Sequence, residues 1–359
     1  MGTTVLVVDD SVIYRKTLTR FLNKIEEITD IKQASNGKEA VRMYTNKHFD
    51  FVTMDVEMPL MNGIEALREI MKINPHAKVL MVSSVTTRGA GYTIDALSIG
   101  AVDFITKEQA FGLHEDQADR LENELLKKIR LILKTPLPPL ADAKKDVYTS
   151  LKPKASRVKD SLKSPVSLLL IGSSTGGPPA LTKLLHGMKA NRNYATVIVQ
   201  HMPPVFTEQL AVNLSKACKK DVIEAADGLV LKKDQIVIAK GAVHLKLKKK
   251  GHEWVCELSD DEPVLSCKPS VDVTFNSVAK QIISKEVVAM ILTGMGSDGA
   301  NGCQALYDKN IPILTQERSS CVVYGMPKAV DDKNITSVHA SPPFLIGEAE
   351  KFMMHPTIL

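Results

Sequence analysis

Between residues 3 and 133, short apolar runs alternate with polar turns and with segments that repeat at the period of a helix. Four mostly apolar runs are typical of strands buried in a parallel sheet, namely Thr4 to Val8, Phe51 to Met54, Val79 to Val82 and Val102 to Ile105. A weaker run over 28–34 predicts a fifth strand, and helices are predicted over segments such as 62–73 and 115–133. Five alternating units predict a flavodoxin-like, doubly wound α/β fold, whose sites lie at the carboxyl ends of the strands.

The second half of the chain has a similar alternation. Strands are predicted over 166–171, 196–200 and 287–292, and each is followed by a turn that contains glycine or proline. Residues 243–258 alternate between apolar side chains and lysines around a Lys-Gly turn, which predicts an antiparallel hairpin. The lysines are better explained as protection of a strand edge than as a surface for an acidic partner. We therefore expect a second doubly wound, mostly parallel α/β domain that carries a β-hairpin.

The segment 134–165 differs from both halves in composition. It holds eight Lys and Arg against three Asp, together with five prolines and a single aromatic residue, Tyr148. This composition is typical of an extended, solvated linker. The linker alone accounts for the formal net charge of +5, so we expect no nucleic-acid binding. The predicted organisation is a domain over 1–133, a linker over 134–165 and a second domain over 166–359.

The chain contains five cysteines, Cys218, Cys256, Cys267, Cys303 and Cys321. Their odd number and the lack of any Cys-x-x-Cys spacing predict reduced thiols in a cytoplasmic protein, with neither a disulfide framework nor a zinc site. The apolar runs are far shorter than the roughly 18 residues that a membrane span needs. The first run is closed at once by Asp9 and Asp10. We expect neither membrane insertion nor a signal peptide.

Acidic residues gather at the carboxyl ends of the predicted strands in the first half. Asp9 and Asp10 follow the first strand, and Asp55 ends the third. Three converging carboxylates repel one another, so a hard divalent cation with oxygen ligands, such as Mg²⁺, would neutralise them. Taken alone, acids in these positions could also cap the helices that follow.

A hydroxyl and a cation at the same edge favour chemistry over capping. Ser83 or Ser84 ends the fourth predicted strand, and Lys107 ends the fifth. A carboxylate, a metal ion, a hydroxyl and an ammonium around one point would suit phosphoryl transfer onto Asp55 as the nucleophile.

Four motifs extend this interpretation: Val-Val-Asp-Asp-Ser at 7–11, Met-Asp-Val-Glu-Met-Pro at 54–59, Val-Ser-Ser at 82–84 and Phe-Ile-Thr-Lys at 104–107. Together they resemble the receiver domain of two-component response regulators. The resemblance implies that Asp55 accepts the phosphoryl group. It also implies that Asp9, Asp10 and Asp55 hold Mg²⁺ together with the backbone carbonyl of Glu57.

The same resemblance implies roles for three further residues. They are the switch hydroxyl Ser83, the aromatic switch residue Phe104 and the phosphoryl-contacting Lys107. The family usually has a proline after this lysine, whereas Glu108 stands here. A cis X-Pro bond therefore cannot be assumed, and the aim of Lys107 is left open.

In the second half, residues 172–177 (Gly-Ser-Ser-Thr-Gly-Gly) break a predicted strand, and Pro178 and Pro179 suit the first turn of a helix. The segment matches Gly-x-Ser-x-Gly around Ser174, a pattern typical of a nucleophile on a cramped strand-to-helix turn. The alternative is a glycine-rich anion cradle at a helix N-terminus. A Walker loop is not favoured, because Pro178 stands where that motif has its lysine.

A nucleophilic serine needs a base, and His201 comes directly after a predicted strand, a placement that the other eight histidines lack. Asp298 follows the strand predicted over 287–292 and so reaches the same edge of the sheet. Each residue also has a simpler interpretation, His201 as a structural hydrogen-bonding group and Asp298 as the cap of a helix that begins near Gly299. The order Ser, His, Asp differs from that of α/β-hydrolases, so their fold is not implied.

These segments, with Gln-His-Met-Pro-Pro at 200–204, Lys-Pro-Ser-Val-Asp-Val at 268–273 and Tyr-Gly-Met-Pro at 324–327, resemble the chemotaxis protein-glutamate methylesterase family. The resemblance covers nearly the whole chain. It implies that Ser174 is the nucleophile, His201 the general base and acid, Asp298 its orienting acid and the Met295 amide an oxyanion donor. The implied activity is phosphorylation-activated demethylation of glutamate methyl esters, and deamidation of certain glutamines, on chemoreceptors.

The resemblance also implies partners and cofactors. A histidine kinase of a chemotaxis-type pathway would be the phosphodonor and methyl-accepting chemoreceptors the substrates, with Mg²⁺ for the receiver and no cofactor for the esterase reaction. Two other functions were weighed. A DNA-binding output domain would need a basic recognition helix after the linker, and the sequence offers none. A catalytically inactive scaffold is disfavoured because Ser174, His201 and Asp298 are all present.

Overall fold

The computed structural model describes residues 2–108, 115–134, 167–282 and 287–354, with side chains from 122 onward in the second range and up to 353 in the last. The chain divides into two compact units, Met1–Asp142 and Ala143–Leu359. This division falls inside the predicted linker, of which residues 135–165 lie outside the described ranges. The exact domain limits therefore stay a prediction.

The first unit alternates strands and helices throughout its described residues. Its elements are β1 Thr3–Val8, α1 Val12–Leu22, β2 Ile28–Ala34, α2 Gly37–Asn46, β3 Phe51–Asp55, α3 Gly63–Ile73, β4 Val79–Ser83, α4 Thr87–Ile99, β5 Asp103–Thr106 and α5 Glu115–Lys134. The five strands pair in parallel in the order β2-β1-β3-β4-β5. This order confirms the predicted flavodoxin-like fold.

Local sequence explains where these elements begin. Strands β3 and β4 are buried along their whole length, as their unbroken apolar runs predicted. Helix α3 begins after Asn62, which forms a capping box with Glu65. Helix α1 is capped by the Ser11 side chain, which accepts from the backbone N–H of Tyr14. Asp9 accepts the N–H of Ser11 at 2.8 Å, so this acid supports the turn rather than serving as the N-cap itself.

The second unit contains a seven-stranded parallel sheet and a separate hairpin. Its strands are β6 Ser167–Ser173, β7 Tyr194–Gln200, β8 Val222–Glu224, β9 Ile236–Ile238, β10 His244–Lys250, β11 Glu253–Ser259, β12 Val287–Ile291, β13 Ile313–Gln316 and β14 Val338–Ala340. Its helices are α6 Gly177–Gly187, α7 Phe206–Cys218, α8 Val271–Ala279, α9 Ala300–Tyr307, α10 Met326–Asp331 and α11 Pro342–Met354, with a 3₁₀ turn at Arg318–Ser320. The sheet order is β14-β13-β12-β6-β7-β9-β8, while β10 and β11 pair antiparallel. Both features confirm the predicted fold class.

The β10–β11 hairpin has one apolar face and one polar face. Leu245, Leu247, Trp254 and Cys256 are buried and join the core of the unit. Lys248 instead pairs with Glu257 across the strands. The alternation seen in the sequence is thus the alternation of a half-buried antiparallel ribbon.

The order of the large sheet creates a crevice near its centre. The chain runs from β6 to β7 on one side, and β12 pairs with β6 on the other. The loops after β6 and β12 therefore leave the sheet in different directions at a topological switch point, where α/β sheets bind their ligands. No helix in the described part of the chain has the length and apolarity needed to cross a bilayer.

Candidate functional site

In the first unit, the three predicted acids lie together at the carboxyl ends of β1 and β3. Asp9, Asp10 and Asp55 each offer a carboxylate oxygen, and these oxygens lie within 4.8 Å of one another. Asp9 and Asp55 are buried, whereas Asp10 is exposed. Burial, aided by the charge of Asp9, raises the pKa of Asp55 to about 6 against the opposing effect of Lys107. Burial likewise raises the pKa of Asp9.

The donor set fits a hard divalent cation. Asp9 Oδ2 is buried without a well-formed hydrogen bond among the described groups, and its ion-pair partner, Lys107 Nζ, lies 3.4 Å away. One lysine offsets only part of the charge of three clustered carboxylates, and Mg²⁺ prefers such oxygen ligands. The predicted carbonyl ligand belongs to Glu57, two residues beyond Asp55 on the same loop. Its role stays a prediction.

Lys107 reaches the acids although Glu108 replaces the usual proline. Its Nζ donates to Asp55 Oδ2 at 2.8 Å. The same ammonium lies 4.6 Å from the centroid of the Tyr14 ring, which sequence analysis had not singled out. Tyr14 stands in the first turn of α1, so the cation–π contact arises from the way that this helix leaves the Asp9–Ser11 turn. Burial acts to lower the pKa of Lys107, but Asp55 and Asp9 outweigh it and raise that pKa.

The two predicted switch residues lie on β4 and β5. Ser83 is buried, and its hydroxyl donates to the carbonyls of Ser84 and Gly89, both at 3.3 Å. It thus faces the start of α4 in this state. Phe104 is also buried, and its backbone carbonyl accepts from Lys128 Nζ at 3.3 Å. Their switch roles stay predictions.

In the second unit, the predicted nucleophile lies on the turn between β6 and α6. Gly176 has a φ of 75°, and a Cβ there would lie 2.5 Å from Val322 Cβ, so the turn accepts only glycine at that point. The N–H of Ser174 donates to the carbonyl of Thr293 at 3.0 Å, which ties the turn to the loop after β12. Among the described residues, no group forms a hydrogen bond with the Ser174 hydroxyl.

The predicted base and acid are in direct contact. His201 follows β7, and its Nε2 lies 2.7 Å from Asp298 Oδ2. The backbone N–H of His201 donates to the carbonyl of Ser173 at 3.0 Å, which holds His201 beside the Ser174 turn. Burial acts to lower the pKa of His201, but its hydrogen bonds with Asp298 and Cys267 raise that pKa to about 9.

Asp298 is held by backbone and side-chain donors at the start of α8. Its Oδ2 accepts from Val271 N at 2.7 Å, and its Oδ1 accepts from Ser270 Oγ at 2.8 Å and from Asp272 N at 3.0 Å. Burial acts to raise the pKa of Asp298, but His201 and these donors keep it below its usual value. The carboxylate is therefore ionised and aimed at the imidazole, as an orienting acid requires.

The loop after β12 passes close to the Ser174 turn and carries a free backbone donor. A Cβ on Gly294 would lie 2.8 Å from Ser174 Cβ, so only glycine lets the two segments approach this closely. The next residue is Met295, whose N–H makes no hydrogen bond within the described residues. A free amide beside a nucleophilic serine can stabilise the charge of a tetrahedral intermediate.

Sequence analysis missed two residues that contact this site. Gln200 is buried, its Oε1 accepts from Ser173 Oγ at 2.6 Å, and its Nε2 donates to the carbonyls of Ser174 at 3.0 Å and His201 at 3.3 Å. Cys267 places its Sγ 3.6 Å from His201 Nδ1. The signal for Gln200 was its place at the end of a buried strand, directly before a histidine. Cys267 lies in a loop and gave no such signal.

The arrangement suits acyl transfer. It combines a serine on a sharp strand-to-helix turn, an imidazole oriented by a carboxylate and a free amide at the same sheet edge. The structure brings His201 and Asp298 together through their side chains, and Gln200 links the backbone of Ser174 to that of His201.

Two family models match this chain, and each matches within one of the two units. A family model described as CheB methylesterase matches residues 169–349, and one described as response regulator receiver domain matches residues 5–115. A protein-glutamate methylesterase/protein-glutamine glutaminase of Colwellia psychrerythraea is 37% identical over 368 aligned residues, covering 95% of this chain and 96% of that protein. One of the same name from Trichodesmium erythraeum is 38% identical, covering 91% and 92%. The crystal structure of the Thermotoga maritima CheB methylesterase catalytic domain covers 52% of this chain and 98% of that one, with 32% identity and a TM-score of 0.51.

Proposed function

The chain belongs to the CheB methylesterase family and carries a receiver domain ahead of its catalytic domain, and we propose that it is a phosphorylation-activated protein-glutamate methylesterase and protein-glutamine glutaminase. Its substrates would be methyl-accepting chemoreceptors and its phosphodonor a histidine kinase of a chemotaxis-type pathway. We also propose that it acts in the cytoplasm. The observation that carries the proposal is the 2.7 Å contact between His201 Nε2 and Asp298 Oδ2 beside the Ser174 turn.

The proposed reaction begins with proton transfer from Ser174 to His201. Since Nε2 faces Asp298, the accepting nitrogen is Nδ1. The serine oxygen then attacks the γ-carbonyl of a glutamate methyl ester, and the resulting oxyanion accepts a hydrogen bond from the Met295 N–H. His201 gives its proton to the leaving methoxide, which departs as methanol and leaves an acyl-serine.

The second half of the reaction mirrors the first. His201 takes a proton from a water molecule, whose oxygen attacks the acyl-serine carbonyl. The ester bond to Ser174 breaks, His201 returns the proton to the serine oxygen, and glutamate is released. With a glutamine substrate the same imidazole protonates the amide nitrogen of the tetrahedral intermediate, which then leaves as ammonia. No cofactor enters either half of this scheme.

For the receiver, we propose phosphorylation of Asp55. Mg²⁺, held by Asp9, Asp10, Asp55 and the Glu57 carbonyl, would neutralise charge at the carboxylates. Lys107 already lies 2.8 Å from Asp55 Oδ2, from where it can contact a bound phosphoryl group. Ser83 and Phe104 would carry the signal from that group to the rest of the receiver.

The direct test is methanol release from methylated chemoreceptor membranes, with and without a small-molecule phosphodonor. We expect release by the full-length chain, stimulation by the phosphodonor and no release by Ser174→Ala. A well-folded chain that releases no methanol under either condition would instead support an inactive scaffold.

A further inference from the structure

The proposed mechanism leaves one group beside the base unused. Cys267 is half-buried, and its Sγ lies 3.6 Å from His201 Nδ1. His201, Cys267 and Asp298 each offer one possible metal ligand, and these three atoms lie within 4.8 Å of one another. Thiolate, imidazole and carboxylate are the groups that bind or surround Zn²⁺ in proteins. The acids of the first unit differ, because they offer oxygen only.

We propose that His201 and Cys267 form an inhibitory site for Zn²⁺ or a similarly thiophilic divalent cation, with Asp298 as the outer partner of the histidine. This inference rests on the proposed function, because inhibition requires that His201 be the base. It concerns a reversible ligand of the active site, and it departs from the expectation, drawn from the cysteine pattern of the sequence, that the chain has no zinc site.

The distance between the two ligand atoms matches a zinc ion. Zn–N bonds are about 2.0–2.1 Å and Zn–S bonds about 2.3 Å, so a tetrahedral angle at the metal separates nitrogen from sulfur by about 3.5 Å. His201 Nδ1 and Cys267 Sγ are 3.6 Å apart. The ion could therefore bridge the two atoms once the thiol loses its proton, with no change in the position of either.

Asp298 occupies the place of an outer-shell partner. A histidine that binds a metal through one nitrogen usually donates from the other to a carboxylate, which fixes the ring. Here Nε2 lies 2.7 Å from Asp298 Oδ2, on the side of the ring away from Nδ1. Because Asp298 is itself held by Ser270 and Val271, the imidazole is oriented before any ion arrives.

The thiol is also fixed in place. Cys267 N donates to Val264 O at 2.8 Å, and Val264 N donates to Cys267 O at 3.2 Å, so the four residues form a closed turn. The neighbouring cation, Lys268 Nζ, is paired with Asp260 Oδ1 at 2.6 Å. Two protein ligands leave two positions of a tetrahedral ion open to water, so binding should be reversible rather than structural.

Zinc at this point would stop the esterase directly. The ion occupies the Nδ1 lone pair that must accept the proton of Ser174. Without that acceptor the hydroxyl is not activated, and turnover should fall in proportion to zinc occupancy.

The inhibition test uses the full-length chain and zinc alone. Methanol release is titrated with Zn²⁺ in excess Mg²⁺, which occupies the carboxylates of the receiver, and each variant is normalised to its own zinc-free rate. We expect inhibition of the unmodified chain, reversal by a zinc chelator and, for Cys267→Ser, at least about tenfold more Zn²⁺ for half-inhibition. Cys218→Ser is the matched control, because Cys218 is the other partly exposed cysteine and its Sγ lies near Thr182 O, at 3.7 Å. Equal zinc sensitivity in Cys267→Ser, or none in the unmodified chain, would overturn the proposal.

A binding measurement separates this proposal from the proposed function. Co²⁺ in place of Zn²⁺ gives a thiolate-to-metal charge-transfer band, which carboxylate sites do not produce. We expect the band in the unmodified chain and in Ser174→Ala, and its loss in Cys267→Ser but not in Cys218→Ser. A chain that shows the band without esterase activity would refute the function and keep the metal site. An active esterase without the band would refute the metal site alone.

Discussion

Gln200 is the residue whose replacement should best separate positioning from catalysis. Its Oε1 accepts from Ser173, and its Nε2 donates to the carbonyls of Ser174 and His201. One buried side-chain amide thus ties the Ser174 turn to His201, the proposed base. We predict that Gln200→Met, which keeps the length of the side chain and removes the amide, lowers kcat and leaves KM nearly unchanged.

The magnitude follows from the groups that would be left unpaired. Ser174 O keeps a hydrogen bond from Gly177 N at 2.7 Å. The Ser173 hydroxyl and the His201 carbonyl lose the hydrogen bonds described for them. The buried Ser173 hydroxyl alone, left unsatisfied, costs about 1–3 kcal/mol of folding free energy, and the part-buried His201 carbonyl adds to this. Movement of the turn relieves part of this cost but displaces Ser174 from His201. A displacement of about 1 Å can cost about 10²-fold in rate, which is the fall in kcat we expect.

The assay is the kcat and KM of methanol release, with thermal unfolding to measure the loss of stability. Gln281→Met is the matched control, because Gln281 also makes three hydrogen bonds, to Leu247 O, Ser277 O and Lys249 N, but lies at the hairpin. The control should lose stability and keep kcat. A folded Gln200→Met with the kcat of the unmodified chain would refute the reasoning, as would an equal loss of kcat in both variants.

Three further predictions concern the proposed catalytic and phosphorylation residues. Ser174→Ala and His201→Ala should each lower turnover by about 10³-fold or more, because members of a triad act as a unit; near-normal methanol release by Ser174→Ala would exclude it as the nucleophile. The base works when neutral, so kcat/KM should rise with pH through the His201 pKa of about 9. Asp298→Asn removes a partner that raises this pKa, so it should shift the rise to lower pH. An unshifted pH profile would contradict the pairing of His201 with Asp298. Phosphodonor labelling should require Mg²⁺ and Asp55, and should raise esterase activity by about 5- to 150-fold, the range of typical coupling free energies; labelling that survives a chelator or Asp55→Asn would rule out this site.

The strand ends could be predicted because a parallel sheet obeys a simple geometric rule. Asp55, His201 and Asp298 each come at or soon after the end of a buried apolar run, and the carboxyl ends of parallel strands share one edge. The rule needs only the positions of the strands. It therefore predicted that these residues share one edge of the sheet in each unit without knowledge of the strand order.

The residues that were not predicted contact the site through tertiary packing, which no local sequence pattern encodes. Tyr14 meets Lys107 because α1 leaves the sheet at a particular angle, and Cys267 meets His201 because a four-residue turn folds back toward β7. Both contacts join segments far apart in the chain. Alternation and periodicity describe neighbours in sequence, so they carry no information about such pairs.

Asp298 shows that the rule for helix N-caps can be right about the kind of contact and wrong about the helix. The sequence suggested that it could cap the helix beginning near Gly299. In the structure Gly299 N donates instead to Asp272 Oδ1 at 3.0 Å, while Asp298 accepts from Val271 N and Asp272 N at the start of α8. The two helices thus exchange their acidic caps, and each carboxylate is positioned by the backbone of the other helix. This exchange leaves Asp298 Oδ2 facing His201. An acid that capped its own helix would instead accept hydrogen bonds from the first N–H groups of that helix.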